Sequence, residues 1–256
     1  MPTLVQRYKR GDRERVWHEL RQLGRKARGR RSREDAEAVV RDAMTRARDN
    51  VVVLIERLRA EGYKFGDPWN TERARVPHAP PDKKTPAFVS WLDKRWGPIP
   101  MTVRAWIEIV GDVSLLGVHP GWPDGLVTDP LVVEVEHKSW KFAEKDRLAM
   151  RKHFESEYES WEHNQADGGD LGAFALDVAP DALHKANISG GAPYGFLVPD
   201  GSVDAMFRYE DGLLLPFIEY LRLVFRCGGF PSTAHRDCGA AVRESCRALA
   251  KGLLDL

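Results

Sequence analysis

The strongest constraint on the fold is an apolar stripe inside a charged segment. Ala36, Val39, Val40, Ala43, Ala47, Val51, Leu54, Ile55 and Leu58 recur at helical spacing. Ser32 followed by Glu34-Asp35 supplies an N-cap and an acidic first turn, and Gly62 a stop. A helix of that length cannot stand alone and must bury its stripe against another layer. Val16, Trp17, Leu20 and Leu23 form a shorter stripe ending at Gly24. The simplest reading of residues 1–66 is therefore a basic helical pair.

The pattern then changes. Residues 67–86 are proline-rich and aperiodic, which predicts a linker or extended loop. Thr85-Pro86 suits the start of a helix carrying Phe88, Val89, Leu92 and Trp96, and Val103–Val110 predicts another. Strands are expected at 114–118, 131–135, 174–178 and 194–198, with a short one near 206. Residues 138–164 are highly charged and read as helical or loosely ordered. Helices at 216–225 and 239–254 close the chain. The fold class is α+β: an N-terminal helical hairpin (1–66), then residues 87–256 as an antiparallel or mixed sheet flanked by helices.

Composition excludes little, because it averages opposites. The whole chain has 39 Lys and Arg against 38 Asp and Glu. Residues 1–59 hold 17 basic and 9 acidic residues, whereas 124–181 hold 6 and 14, a surplus of eight in each direction. Such a split can steer partners or let one region pack beside the other. No apolar run approaches the roughly 18 residues of a membrane span. The N-terminus lacks the apolar core of a secretory signal, so a cytoplasmic protein with no membrane partner is expected.

The candidate chemistry is scattered. Glu134 and Glu136 share a strand face and could pair near a metal with His119 or His137. The favoured reading makes them the solvated face of a strand whose Val133 and Val135 point inward. Cys227, His235, Cys238 and Cys246 lack the short CxxC knuckle of strong zinc motifs, so small buried thiols are the favoured reading and zinc the alternative. The densest polar run is Asp181-Ala-Leu-His184-Lys185-Ala-Asn187-Ile-Ser189-Gly190-Gly191. It could bind an anion, or set His184 beside Ser189 as a nucleophile pair. The favoured alternative is a tight connection whose glycines take positive φ. Arg25, Lys26, Arg28, Arg30 and Arg31 could contact phosphates, but lack the interleaved aromatics that stack bases. Trp69 and Trp122 lie in Pro/Gly-rich loops, where tryptophan serves as an interface anchor or packs beneath its own loop.

A resemblance adds to this. Leu92, Trp96, Gly97, Ile99 and Pro100 end one helix, and Trp106, Ile107, Val110 and Gly111-Asp112 end the next. Phe217, Tyr220 and Leu221 mark a closing helix. Over roughly residues 85–226 this order resembles the SUKH superfamily, relatives of a fungal cell-wall regulator that are widespread as bacterial immunity proteins. The resemblance implies a non-catalytic protein without a cofactor that binds a cognate toxin and blocks its active site. The expected contact residues are Trp69, Trp122, Glu134, Glu136, Asp181, His184, Lys185 and Asn187. A metal-dependent or hydrolytic enzyme using His119, His137 or the His184–Ser189 loop is one alternative. A nucleic-acid adaptor using the basic helices is the other.

Overall fold

A computed structural model describes residues 2–30, 32–66, 76–137, 143–169 and 171–256, with only the backbone for 143–147. Trp69 and Arg31 lie outside the described residues.

Helix α1 (Leu4–Lys9) opens on a capping box between Thr3 and Gln6. Its first amides, those of Leu4 and Val5, donate to the Asp35 carboxylate at 2.6 and 2.9 Å. Asp35 belongs to α3 (Arg33–Ala60), so the acidic turn expected to favour its own helix dipole also anchors a second helix start. Ser32 holds the N-cap position of α3, its carbonyl accepting from the Ala36 amide at 2.9 Å, but its hydroxyl makes no cap bond and donates instead to the Lys26 and Ala27 carbonyls. α2 spans Arg13–Leu23, and a 3-10 turn over Gly24–Arg28 links it to α3. All nine residues of the α3 stripe are buried. Gly62, at φ 79°, ends α3 as expected: its amide reaches Arg59 O and that of Tyr63 reaches Leu58 O, the Schellman pattern.

Beyond Gly66 the backbone is less regular than the sequence pattern suggests. Strand β1 (Lys64–Phe65) pairs with β4 (Gly117–Val118), and β2 (His78–Ala79) pairs with β3 (Asp112–Ser114). The second half of the proline-rich segment therefore carries a strand. Helix α4 (Thr85–Trp96) is preceded by Lys84 as N-cap, with Thr85 already inside the helix. α5 (Met101–Ala105) runs into a π-type turn over Trp106–Val110. Gly111 closes it at φ 87°, where a Cβ would lie 2.4 Å from Ala79 O. Only glycine lets β2 approach this helix end.

β5 is limited to Val132–Val133, shorter than the expected 131–135. It pairs with β3, and just beyond its end the Glu134 amide donates to Val178 O of β6 (Phe174–Ala179) at 2.9 Å. Between them runs α6 (Ala143–Ala166), which seats Phe154 in the core. After the single turn α7 (Ala182–Lys185), β6 continues into an antiparallel meander with β7 (Tyr194–Val198), β8 (Met206–Arg208) and β9 (Leu214–Pro216). Every recorded strand pairing is antiparallel, which completes the α+β assignment. Phe207 packs its ring against Phe217 and Tyr220 where α8 (Phe217–Arg226) crosses this sheet. α9 (Gly239–Ala250) packs beside α3 and α8. Buried apolar residues from both the N-terminal helices and the sheet layers belong to one core.

Candidate functional site

Two of the loops singled out by sequence meet around one cavity of about 330 Å³. Tyr63, Val118, Trp122, Leu126, Thr128 and Lys185 line it. The β1–β4 pair sets one wall, because it holds Tyr63 beside the loop that follows β4.

That loop is fixed by His119. Its Nδ1 accepts from the Gly121 amide at 3.0 Å, so Nε2 carries the proton and donates to Glu61 at 3.0 Å. The ring also stacks on Trp122, with centroids 4.6 Å apart. Trp122 meets Phe230 edge-on at 4.8 Å and is half-buried, so it packs beneath its own loop while still facing the cavity. Its indole N–H is buried with no hydrogen-bond partner.

The opposite wall comes from the 181–191 run, which forms a one-turn helix. Asp181 caps it, accepting from the amides of Leu183 (2.8 Å) and His184 (3.2 Å) and from the His184 ring. Burial pushes this carboxyl up, but the His184 ring and those two amides outweigh it and hold the carboxyl below its ordinary value. Asn187, at φ 59°, provides the left-handed C-terminal residue, with Ile188 N bonded to Leu183 O. The expectation that the glycines take positive φ is corrected: Asn187 takes it, and Gly190 is needed because a Cβ there would lie 2.3 Å from Asp181 Oδ1. Asn187 and the His184 side chain, 51% accessible, remain exposed. No hydrogen bond joins His184 to Ser189 among the described residues, so the nucleophile pair is not assembled.

Lys185 is not the surface contact expected. The single helical turn points it inward, where Nζ lies 2.5 Å from Asp129 Oδ1 with both side chains fully buried. Tyr194 donates to Asp129 Oδ2 at 3.2 Å, and the ammonium sits 4.5 Å from the Tyr194 ring centroid. Burial lowers the Lys185 pKa, Asp129 opposing it, and burial likewise raises that of Tyr194. Asp129 was missed because Thr-Asp-Pro before an apolar run reads as a turn; its φ of 55° agrees, but its carboxylate is turned into the core.

Glu134 and Glu136 are also corrected. They are 4% and 0% exposed, not a solvated face. β5 lies between β3 and the start of β6, and the chain leaves strand geometry after Val133, so alternation no longer sorts side chains into in and out. Glu136 accepts from the Thr85 hydroxyl at 2.8 Å, Glu134 lies 3.8 Å from His137 Nε2, and Asp112 accepts from the amides of Val135 and Glu136. Among the described residues no three His, Cys, Asp or Glu side chains converge as metal ligands. His235 pairs with Glu210 at 2.7 Å, and burial pushes the Cys246 thiol up to about 12.

The basic connection divides. Arg25, Lys26 and Arg30 are exposed, whereas Arg28 turns in, its guanidinium donating to Gly201 O at 2.7 Å and to Ile99 O. No described helix is long and apolar enough to cross a membrane. Comparisons with family models, curated proteins and solved structures found no match for this chain.

Proposed function

We propose that this chain is a non-catalytic binding protein, and that its activity is the one the SUKH resemblance implies: neutralising a cognate toxin by covering its active site. The observation that carries the binding reading is the meeting of the Trp122 loop and the 181–191 run at one cavity. An open recess of mixed polarity, walled on one side by a half-buried tryptophan, fits an inserted partner side chain. The charged groups beneath are already engaged: Asp129 holds Lys185 and Tyr194, and Asp181 holds its helix turn and His184. That arrangement suits a rigid floor better than a reacting centre, since a nucleophile needs a base free to take its proton. Val118 at the end of β4 and Ile188 just beyond α7 add exposed apolar surface.

The test is protection. Where the neighbouring gene encodes a toxin domain, cells expressing that domain should grow when this chain is co-expressed. Ile188→Asp and Trp122→Ala should lose that protection while retaining cooperative unfolding. Growth arrest despite a folded, abundant wild-type chain would remove the neutralising reading, and protection that survives both substitutions would remove this cavity from it.

A further inference from the structure

A second cavity, of about 530 Å³, lies between the N-terminal half of α3 and the α4–α5 region. Its chemistry differs from the first. Four arginines line it, Arg28, Arg33, Arg41 and Arg104, against the carboxylates of Glu37, Asp93 and Glu108. Val40, Met101 and Ala105 add buried apolar surface between them.

The carboxylates do not balance the arginines evenly. Asp93 and Glu108 both serve Arg104, at 3.0 and 3.5 Å, and Glu37 serves Arg33 at 2.7 Å. Asp93 is further engaged by the Ile99 amide at 3.1 Å. Arg28, by contrast, is held only by the neutral carbonyls of Gly201 and Ile99 among the described residues. Burial pushes its pKa down; Asp93 and Asp200 oppose this, while Arg104 and Arg33 add to it by repulsion. A half-buried guanidinium bonded only to neutral carbonyls among the described residues, with N–H donors beyond those two bonds, is a site an oxyanion would relieve. Arg41 stands exposed one turn beyond Glu37 on α3, on the side of the helix that carries Arg33 and Glu37.

From this geometry we infer that the groove binds a phosphorylated small molecule, its phosphoryl group among Arg28, Arg33 and Arg41 and its ring or apolar body on Val40, Met101 and Ala105. The volume falls within the range of about 300–1,000 Å³ that small-molecule sites occupy. Guanidinium groups suit phosphate because they offer parallel N–H donors. The site is separate from the Trp122 cavity, so it stands whether or not toxin neutralisation does.

The experiment is calorimetric titration of the full chain with AMP, with adenosine and inorganic phosphate as partial probes. AMP should bind at least about tenfold more tightly than adenosine. Arg33→Gln combined with Arg41→Gln, both on exposed positions, should weaken AMP at least about tenfold without changing the melting temperature. No heat from AMP up to about 5 mM would overturn the inference. Equal affinities for AMP and adenosine, or an unchanged affinity in the double variant, would do the same. Tight binding of a single-stranded RNA with none of AMP would assign the arginines to nucleic acid instead.

Discussion

Lys185→Met tests the floor of the Trp122 cavity most directly. Wild-type Nζ is 2.5 Å from Asp129 Oδ1, and neither side chain has solvent access. Methionine keeps the length and packing of the lysine stem but removes the ammonium. Asp129 is then left in the core with Tyr194 as its recorded hydrogen-bond donor. Removing one member of a buried ion pair costs about 3–5 kcal/mol, most of it the uncompensated charge. For a chain of this size that corresponds to a fall in melting temperature of roughly 6–20 °C. Asp129→Asn is the matching change, because asparagine tolerates the positive φ of 55° that a leucine would resist. With both substitutions the charge is gone from each side, and the double variant should be more stable than the sum of the singles predicts by about 1–3 kcal/mol. Urea denaturation followed by circular dichroism gives all four stabilities of the cycle. If Lys185→Met lies within about 0.5 kcal/mol of wild type, or if the two substitutions simply add, the pair does not organise this floor.

Two further outcomes follow from buried groups elsewhere. Burial pushes the Asp204 carboxyl up to about 7 and the Asp177 carboxyl up to about 6. Between the ordinary carboxyl range and those values the folded state holds protons that the unfolded chain has released, so these groups make stability fall as pH rises from about 4 to 7. Asp204→Asn should flatten that fall and raise the melting temperature at pH 8; an unchanged pH profile would count against it. Gly111→Ala combines a φ of 87° with a Cβ placed 2.4 Å from Ala79 O. It should cost more than about 2 kcal/mol, and an alanine variant as stable as wild type would mean that β2 does not press on this helix end.

Helices were the legible part of the sequence, and the reason is visible in α3. A period of 3.6 repeated over 28 residues gives many votes for one assignment, and Gly62 marks its end with a residue that few others could replace. Short strands give few votes. β5 has two residues, so the alternation of Leu131–Val135 had nothing to enforce it, and Glu134 and Glu136 were assigned to solvent when both are buried. The site was partly legible. Trp122 and the His184–Lys185 run stood out by composition, but their convergence depends on β1 pairing with β4 and on one helical turn aiming Lys185 inward. Asp129 carried no signal of its own, since a buried carboxylate and a turn aspartate look alike until the partner is placed. Asn187 shows the same ambiguity, because glycines nearby offered an easier account of the left-handed turn.

The opposed charge surpluses of residues 1–59 and 124–181 could have cancelled by contact, and the ion pairs decide the matter. Basic residues of the first region pair within it, as Arg7 does with Asp12 and Glu19 and Arg46 with Asp42, or reach the C-terminal third, as Arg21 does with Glu219. Acidic residues of the second region pair with Arg95, Lys185 and Arg208. Among the described residues, no ion pair joins one region to the other. The two surpluses are therefore not cancelled by direct pairing with each other among the described residues. Exposed pairs contribute little to stability, so any part of that surplus carried at the surface has its main physical effect on encounter. It speeds approach of complementary partners and discourages others, with a dependence on salt that extends over about 10 Å at 0.1 M.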